Sequence, residues 1–490
     1  MNHPVEKIHP GFLAYLANLT MVSTGSPEVA RSIVQELEDQ RNNLKLIASE
    51  NYSSISSQVA MGNLMTDKYA EGYPHHRFYA GCGNIDDIES YAIKQACEVF
   101  GCEYAYVQPH SGADANLIAY WAILNTRVEM PYYASLGESN PSKLTEPQWQ
   151  ELRRLAGNQR LLGMDYYSGG HLTHGYRHNI SAKMFDSYSY GVNRDTGLLD
   201  YDEIEAMAVK VKPLILLAGY SAYPRHINFA RMRNIADKVG AVFMVDMAHF
   251  GGLVAGGVFQ GEHNPIPYAH VVTSTTHKTL KGPRGGLILC VKEFEDSVNK
   301  GCPLVIGGPL PHMMAAKAVA LREANTPDFK AYSRKIVENA AILAQTCMEE
   351  GLKVTTGGTD HHLFLIDVRP FGITGRQGES ALRDCNITLN RNSLPFDPNG
   401  PWYTSGLRMG TPALTTLGMG TAEMKQIAKI IGLVLRSVKP ENKPGDGPSK
   451  SLYTMDEKAG NEARARVHEL LTAYPVYPEI DLAYLKKVFC

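Results

Sequence analysis

The sequence has no apolar run of membrane-spanning length. Its most hydrophobic stretches, Leu214 to Ala218 and Gly286 to Val291, are only as long as strands, whereas a helix needs ~20 apolar residues to cross a bilayer. It has no CxxC pair, and its 8 cysteines (82, 97, 102, 290, 302, 347, 385, 490) follow no framework spacing, which argues against a disulfide scaffold. Scattered thiols in a long chain are expected to be reduced, and Met1 to Tyr15 lacks a leader-like apolar segment, so a cytoplasmic location is expected. Neither sign of charge is in excess: 48 Lys+Arg against 50 Asp+Glu give a formal charge of −2. Binding that rests on neutralising phosphates, as with nucleic acid, is therefore not expected. Tryptophan is scarce, 3 residues against 26 Tyr and 14 Phe, so any aromatic site surface would be built mainly from tyrosine. There is no internal repeat.

What is present suits a large globular enzyme. The 490 residues are 44 % hydrophobic and 20 % charged, enough for extensive cores, and at ~150 residues per domain they suggest roughly three domains. Ser26-Pro27-Glu28 reads as a helix start, followed by Val29, Ile33, Val34 and Leu37 at helical spacing. From about 100 to 290, short apolar runs alternate with helical patterns, as in a parallel sheet with crossover helices. Strands are expected at Tyr104 to Val107, Leu214 to Leu217, Val242 to Val245, His270 to Thr273 and Gly286 to Val291, with helices at Asp114 to Leu124 and Phe229 to Val239. Thr326-Pro327-Asp328 opens a further helix that Gly351 stops, and Leu363 to Val368, Glu379 to Cys385 and Ala422 to Val438 complete an α+β unit. The expected plan is an N-terminal helical arm (1–66), a large α/β domain (67–325), a small C-terminal α+β domain (326–438) and an appended extension (439–490) that opens with a Pro/Gly-punctuated polar stretch. Residues 128–162, with three prolines, form a connection too long for a compact α/β domain; they read as a lid or a surface insertion.

Three stretches carry the chemistry. In Val271 to Gly286 a β-branched strand runs into Thr276-His277-Lys278, placing a lysine where open α/β sheets bind ligands. A desolvated lysine there forms Schiff bases with carbonyls, although a solvated loop lysine fits this stretch equally well. In Phe243 to His249 an apolar strand ends in Asp246, with His249 three residues on. A buried carboxylate needs a partner; a pyridinium nitrogen fits better than a metal, and capping of a turn is the structural alternative. Gln108 to Asn116, with Ser111 and Gly112, joins a strand to a helix in small residues that suit a phosphate. His171 and His174, like the pairs His75-His76 and His361-His362, have no partner at zinc-like spacing, so no metal is assigned; His171 is better placed to stack on a planar cofactor.

Lysine, carboxylate and phosphate turn together imply pyridoxal 5'-phosphate. With LIASEN (46–51), DKYAEGYP (67–74), QPHSG (108–112), GGHLTHG (169–175), VDMAH (245–249), THKTLKGPRGG (276–286), GGTDHHLF (357–364) and TSGLRMGTPA (404–413), the chain closely resembles the serine hydroxymethyltransferase family. That resemblance implies the aspartate-aminotransferase-like fold type I and transfer of a one-carbon unit from L-serine to tetrahydrofolate, leaving glycine. It also implies roles. Lys278 would hold the cofactor as an aldimine, Asp246 would face its ring nitrogen, and His171 would stack on it. His249 and Ser221 would bond its phenolic oxygen, and Ser111, Gly112 and His277 its phosphate. Arg408 would clamp the substrate carboxylate, and Glu71 would transfer a proton with Ser49 and Tyr79 beside it. Tyr69 and Gly307-Gly308 would reach the neighbouring active site of a homodimer, Tyr166 and Trp402 would face the folate, and Gly170 and Leu172 would also bind substrate.

The chain departs from the family pattern at named places. Ala113 replaces a phosphate-binding serine, Cys302 to Pro309 reduces a glycine-rich segment, and Asp165-Tyr166-Tyr167-Ser168 stands where an Asn-Leu-Ala-His run is usual. The altered acceptor wall keeps open a folate-independent aldolase or racemase; a catalytically silent binding protein is the reading from another class.

Overall fold

The structure, a computed structural model, describes residues 8–443 and 447–490. Residues 1–7 of the expected arm and 444–446 of the expected polar stretch lie outside the described residues. The chain divides into two compact units, residues 60–334 with 394–397 and residues 1–59, 335–393 and 398–490. The N-terminal arm, the small region and the C-terminal extension thus share one unit, where the sequence reading kept three.

The unit of residues 60–334 is built on seven strands: β1 (Tyr104–Tyr106), β2 (Arg160–Met164), β3 (Asp186–Tyr190), β4 (Ile215–Gly219), β5 (Val242–Asp246), β6 (Val271–Thr275) and β7 (Gly286–Cys290), in the order β1-β7-β6-β5-β4-β2-β3. Pairing is parallel from β3 through β6, whereas β7 runs antiparallel to both β6 and β1. Every residue of β4, β5, β6 and β7 is buried, which explains their unbroken apolar runs: both faces of such a sheet are covered. One face packs on Ile118, Ala122 and their neighbours in the helix Gly112–Leu124. All the expected strands form, with ends displaced by one or two residues.

Residues 128–162 are ordered. They continue a helical turn (Asn125–Glu129) into helices Met130–Ser135 and Glu146–Gly157, and their last three residues already belong to β2.

The other unit holds the antiparallel sheet β8 (Lys353–Val354), β9 (Leu363–Asp367), β10 (Asn390–Asn392) and β11 (Gly406–Gly410), in the order β8-β9-β11-β10. The extension is not appended. Its helix Glu457–Ala473 places Ala463, Val467, Leu470 and Leu471 in one core with Ile427, Ile431 and Leu435 of helix Thr421–Ser437. The stretch read as a punctuated linker is an antiparallel hairpin, Val438–Lys443 with Gly447–Met455. Its strand is anchored from the start of helix Gly375–Asp384: Gln377 Nε2 donates to Ser449 O (2.8 Å) and Leu452 O (2.7 Å). Local composition did not show these long-range acceptors.

Candidate active site

The carboxyl ends of β1, β2, β4, β5 and β6 share one edge, and the chain exits there carry the chemistry. Asp246 closes β5, in register between Gly219 and Thr273. Gly219 makes this possible: its φ is +123°, and a Cβ there would lie 2.1 Å from Asp246 O. Asp246 Oδ2 accepts from Asn116 Nδ2 (2.8 Å) and pairs with His174 Nε2 (3.1 Å), and Oδ1 accepts from Ala248 N (3.0 Å). Asn116 also donates to Thr173 Oγ1 (2.8 Å) and accepts from Thr273 Oγ1 (2.5 Å), and Tyr120 OH fastens Thr173 O (2.6 Å). Burial alone would raise the Asp246 pKa, but the His174 hydrogen bond and charge, then His171 and Asn116, outweigh it and hold the carboxyl well below the usual carboxylate range. An ionised carboxylate is thereby kept in a buried place.

His171 Nδ1 lies 2.8 Å from Thr173 Oγ1 on the same turn. His171, His174 and Asp246 bring ligand atoms within 4.8 Å of one another, an arrangement that sequence spacing did not reveal. Its carboxylate is already satisfied by three protein donors.

The exit of β1 runs into the turn expected from the sequence to hold a phosphate. Ser111 caps helix Gly112–Leu124: its Oγ accepts from Asp114 N (3.2 Å) and donates to Asp114 Oδ2 (2.9 Å). At Gly112 a Cβ would meet Thr275 Cγ2 at 2.6 Å, so only glycine lets the helix start lie against β6. Beyond β6, Lys278 is half-buried, and its loop is tied to the β5 exit by Thr279 Oγ1 donating to His249 O (2.9 Å). The ring of His277 is pushed down to about 3 by burial, then by Lys278 and Arg284. His277 Nδ1 is buried without a partner, an orphan that a phosphate oxygen would satisfy. Ser221 sits at the β4 exit, its N donating to Gly169 O (2.7 Å). The orphaned imidazole, the glycine cradle and the buried carboxylate fit a phosphorylated, protonatable aromatic ring.

A second cluster lies on residues 69–79 of the same unit. Tyr69 and Tyr79 meet edge to face at 5.0 Å, and a Cβ on Gly308 would lie 3.3 Å from the Tyr69 ring. The charge of Glu71, foremost, raises the Tyr79 pKa. A network unmarked in the sequence anchors this loop: Arg77, 4 % exposed, pairs with Glu89 (2.5 Å) and Asp86 (2.8 Å) and donates to Ala70 O and Gly72 O. Gln108 Nε2 joins it, reaching Glu89 Oε1 (2.7 Å) and Gly72 O (2.8 Å).

Tyr166 packs its ring on Tyr176 (4.8 Å) and Tyr167 (5.3 Å) beside a groove of about 390 Å³. Gly170 N donates to Asp165 O (2.9 Å), and Leu172 is exposed. Arg408, Ser49 and Trp402 belong to the other unit. There Asn390 Oδ1 accepts from Arg408 Nε (3.0 Å), and Leu46 O accepts from Gly410 N (2.8 Å), which lays the segment of Ser49 along β11. Trp402 is 62 % exposed, between the guanidinium groups of Arg376 (5.4 Å) and Arg391 (5.8 Å).

Comparison with known proteins decides the family. A serine hydroxymethyltransferase family model matches residues 22–131 and 152–431. The chain belongs to the serine hydroxymethyltransferase family. It is 60 % identical over 484 residues to the Treponema pallidum serine hydroxymethyltransferase, covering 99 % of this chain and 84 % of that one. Identity to the family member of Salinispora tropica is 55 % over 469 residues (96 % and 98 % covered), and to that of Chlamydia trachomatis serovar D 52 % over 474 (96 % and 95 %). The family match leaves out residues 1–21, the middle of the insertion (132–151), and everything after 431, including the hairpin and last helices. The fold is accordingly fold type I, with a large, mostly parallel sheet.

Proposed function

We propose that this chain catalyses the reversible transfer of a one-carbon unit from L-serine to tetrahydrofolate, giving glycine and 5,10-methylenetetrahydrofolate, with pyridoxal 5'-phosphate as its cofactor. The observation that carries this is the ionised, buried Asp246 at the strand edge that also presents Lys278 and the Ser111-Gly112 loop. When bound, the cofactor supplies a carbonyl for amine capture and a ring that accepts electrons. Lys278, half-buried beyond β6, would be the residue that holds the cofactor through that carbonyl. Asp246 keeps a proton on the ring nitrogen, and the proton stays because Asn116 and His174 stabilise the carboxylate. Ser111, Gly112 and His277 would hold the phosphate, His171 would lie against the ring, and Ser221 and His249 would serve its hydroxyl.

Arg408 binds the substrate carboxylate as a two-pronged donor, its plane set by Asn390. Glu71 takes the proton of the serine hydroxyl; the raised Tyr79 pKa keeps that phenol a donor beside it. The exposed Tyr69 and Tyr79 with Gly308 support a homodimer in which each copy completes its partner's site. Eight free cysteines, and the absence of a membrane-crossing helix among the described residues, agree with a cytoplasmic reaction. Glycine formation from serine by the purified protein, with and without tetrahydrofolate, tests the proposal. Strong dependence on tetrahydrofolate is expected; equal rates without it would favour a folate-independent aldolase.

A further inference from the structure

Lys317 is a lysine that no step above uses. It lies in the helix Pro311–Ala324, is 2 % exposed, and has no carboxylate within hydrogen-bond reach among the described residues; its Nζ donates instead to three backbone carbonyls, Val107 O (2.6 Å), Pro109 O (2.8 Å) and Gly286 O (3.1 Å). An ammonium has three N–H donors and no acceptor, so all three are used. Two of the acceptors belong to the exit of β1, immediately before Ser111-Gly112, and the third begins β7. Pro109 O is also bonded by Gly286 N (2.9 Å), and a Cβ on Gly286 would lie 2.1 Å from Ser111 O. The phosphate loop and β7 are therefore locked at one point, with a buried cation beneath them. The fit is close: a Cβ on Gly285 would meet Lys317 Cε at 2.3 Å.

Holding a charge here is costly. Burial pulls the Lys317 pKa down to about 7, opposed by Cys302, Glu89 and Asp114. A methionine of similar length would fill the same space without that penalty, so the loop geometry or the charge must justify the lysine.

We propose that Lys317 is a positioning residue of the phosphate subsite, an ammonium that fixes residues 107–112 from below and adds a positive charge where the phosphate dianion binds. The idea rests on reading Ser111, Gly112 and His277 as that subsite. A buried charge acts over several ångströms because little water screens it. Selectivity for the phosphorylated cofactor would then come partly from a residue that does not touch it.

The test compares pyridoxal 5'-phosphate with pyridoxal, which lacks the phosphate. Affinities of both for the cofactor-free protein are read by absorbance titration for wild type, Lys317→Met and Lys317→Gln, with thermal melts as the control for folding. Both variants should weaken pyridoxal 5'-phosphate by about ten- to a hundredfold, as for loss of hydrogen bonds to a charged group, and leave pyridoxal within about twofold. Parallel loss of both ligands, unchanged preference, or failure of both variants to fold would overturn the proposal, since each makes Lys317 a residue of the core alone. A wild type without preference for the phosphorylated ligand would instead refute the reading of the subsite itself.

Discussion

The floor beneath Asp246 and the wall around Tyr166 treat polar groups in opposite ways. In the floor, Asn116, Thr173, His174, Asp246 and Thr273 are buried and bonded to one another. In the wall, Tyr166, Tyr167 and Tyr176 offer ring faces and edges to a groove, and the side chain of Leu172 is exposed. A network of the first kind fixes a charge before any ligand arrives, so no reorganisation is needed during reaction. A surface of the second kind supplies flat area, and a change of residue there alters affinity gradually. The floor should therefore tolerate almost no substitution, and the wall several.

The largest effect is expected at Asp246. Asp246→Asn keeps the size and can still bond Ala248 N, but it no longer balances a protonated ring nitrogen. Turnover should fall by roughly 10²–10³-fold or more, with a melting temperature near wild type. Wild-type turnover in the variant would make Asp246 a structural carboxylate and erase the contrast.

The 69–79 loop combines both modes, with the half-buried Glu71 and the exposed Tyr79 set on a buried anchor. Arg77→Met leaves Glu89, with a 0 % exposed side chain, without its cation. Burial already pushes the Glu89 pKa up, against the pull of Arg77. Breaking a buried pair on one side costs about 3–5 kcal/mol, so denaturant unfolding should shift by that order and turnover should fall with it. A variant as stable as wild type would show that the loop is held by its backbone alone.

How far the sequence discloses these regions depends on where the partners lie. Strands buried on both faces appear as plain apolar runs, and Asp246 stands out as a charge ending one of them. Lys278 is conspicuous for the same reason, after β6. Asn116 is not: its partner Asp246 lies 130 residues away, and in the sequence it is an ordinary polar residue of a helix. His174 could be seen in GGHLTHG, yet only the fold shows that it bonds the carboxylate. Lys317, in an alanine-rich helix, looks like any solvent-facing lysine. The hairpin after Val438 was hidden by its proline and glycines, because the side chains that satisfy its edge belong to another helix.

A smaller effect is expected at His277, where the floor meets the phosphate loop. Its folded pKa of about 3 lies below the ordinary 6.5, so the unfolded chain takes up a proton first as pH falls. The folded state thus loses stability from about pH 6.5 down towards about pH 3. Between pH 7 and pH 5 this loss is on the order of 1–2 kcal/mol in the cofactor-free protein, and His277→Asn should remove it. Inorganic phosphate should reduce the wild-type loss by giving the protonated ring an acceptor. Melting curves at the two pH values, with and without phosphate, check this; identical slopes for wild type and variant would show that His277 does not titrate as a buried group.

The smallest effects are expected from Tyr166→Ala in the wall and from Trp402→Ala in the other unit, the two residues that the proposed function assigns to the acceptor. Tyr166 is braced by Tyr176 and Tyr167, so its truncation removes one face of an aromatic group and leaves the others. Trp402 already has two guanidinium groups at its ring, and its loss leaves an exposed site that water can fill. An aromatic contact contributes about 0.5–1.5 kcal/mol beyond its area, which corresponds to roughly a two- to tenfold rise in KM for tetrahydrofolate per residue. Folate-independent cleavage of a bulkier β-hydroxy amino acid should be unchanged, because the proposed function has Asp246, Lys278 and Arg408 act on the amino acid and not on the acceptor. Steady-state assays of both reactions separate the cases. Equal losses in the two would put these side chains in the amino-acid pocket, and no loss in either would move the folate away from them, leaving the tyrosine groove without a part in the transfer.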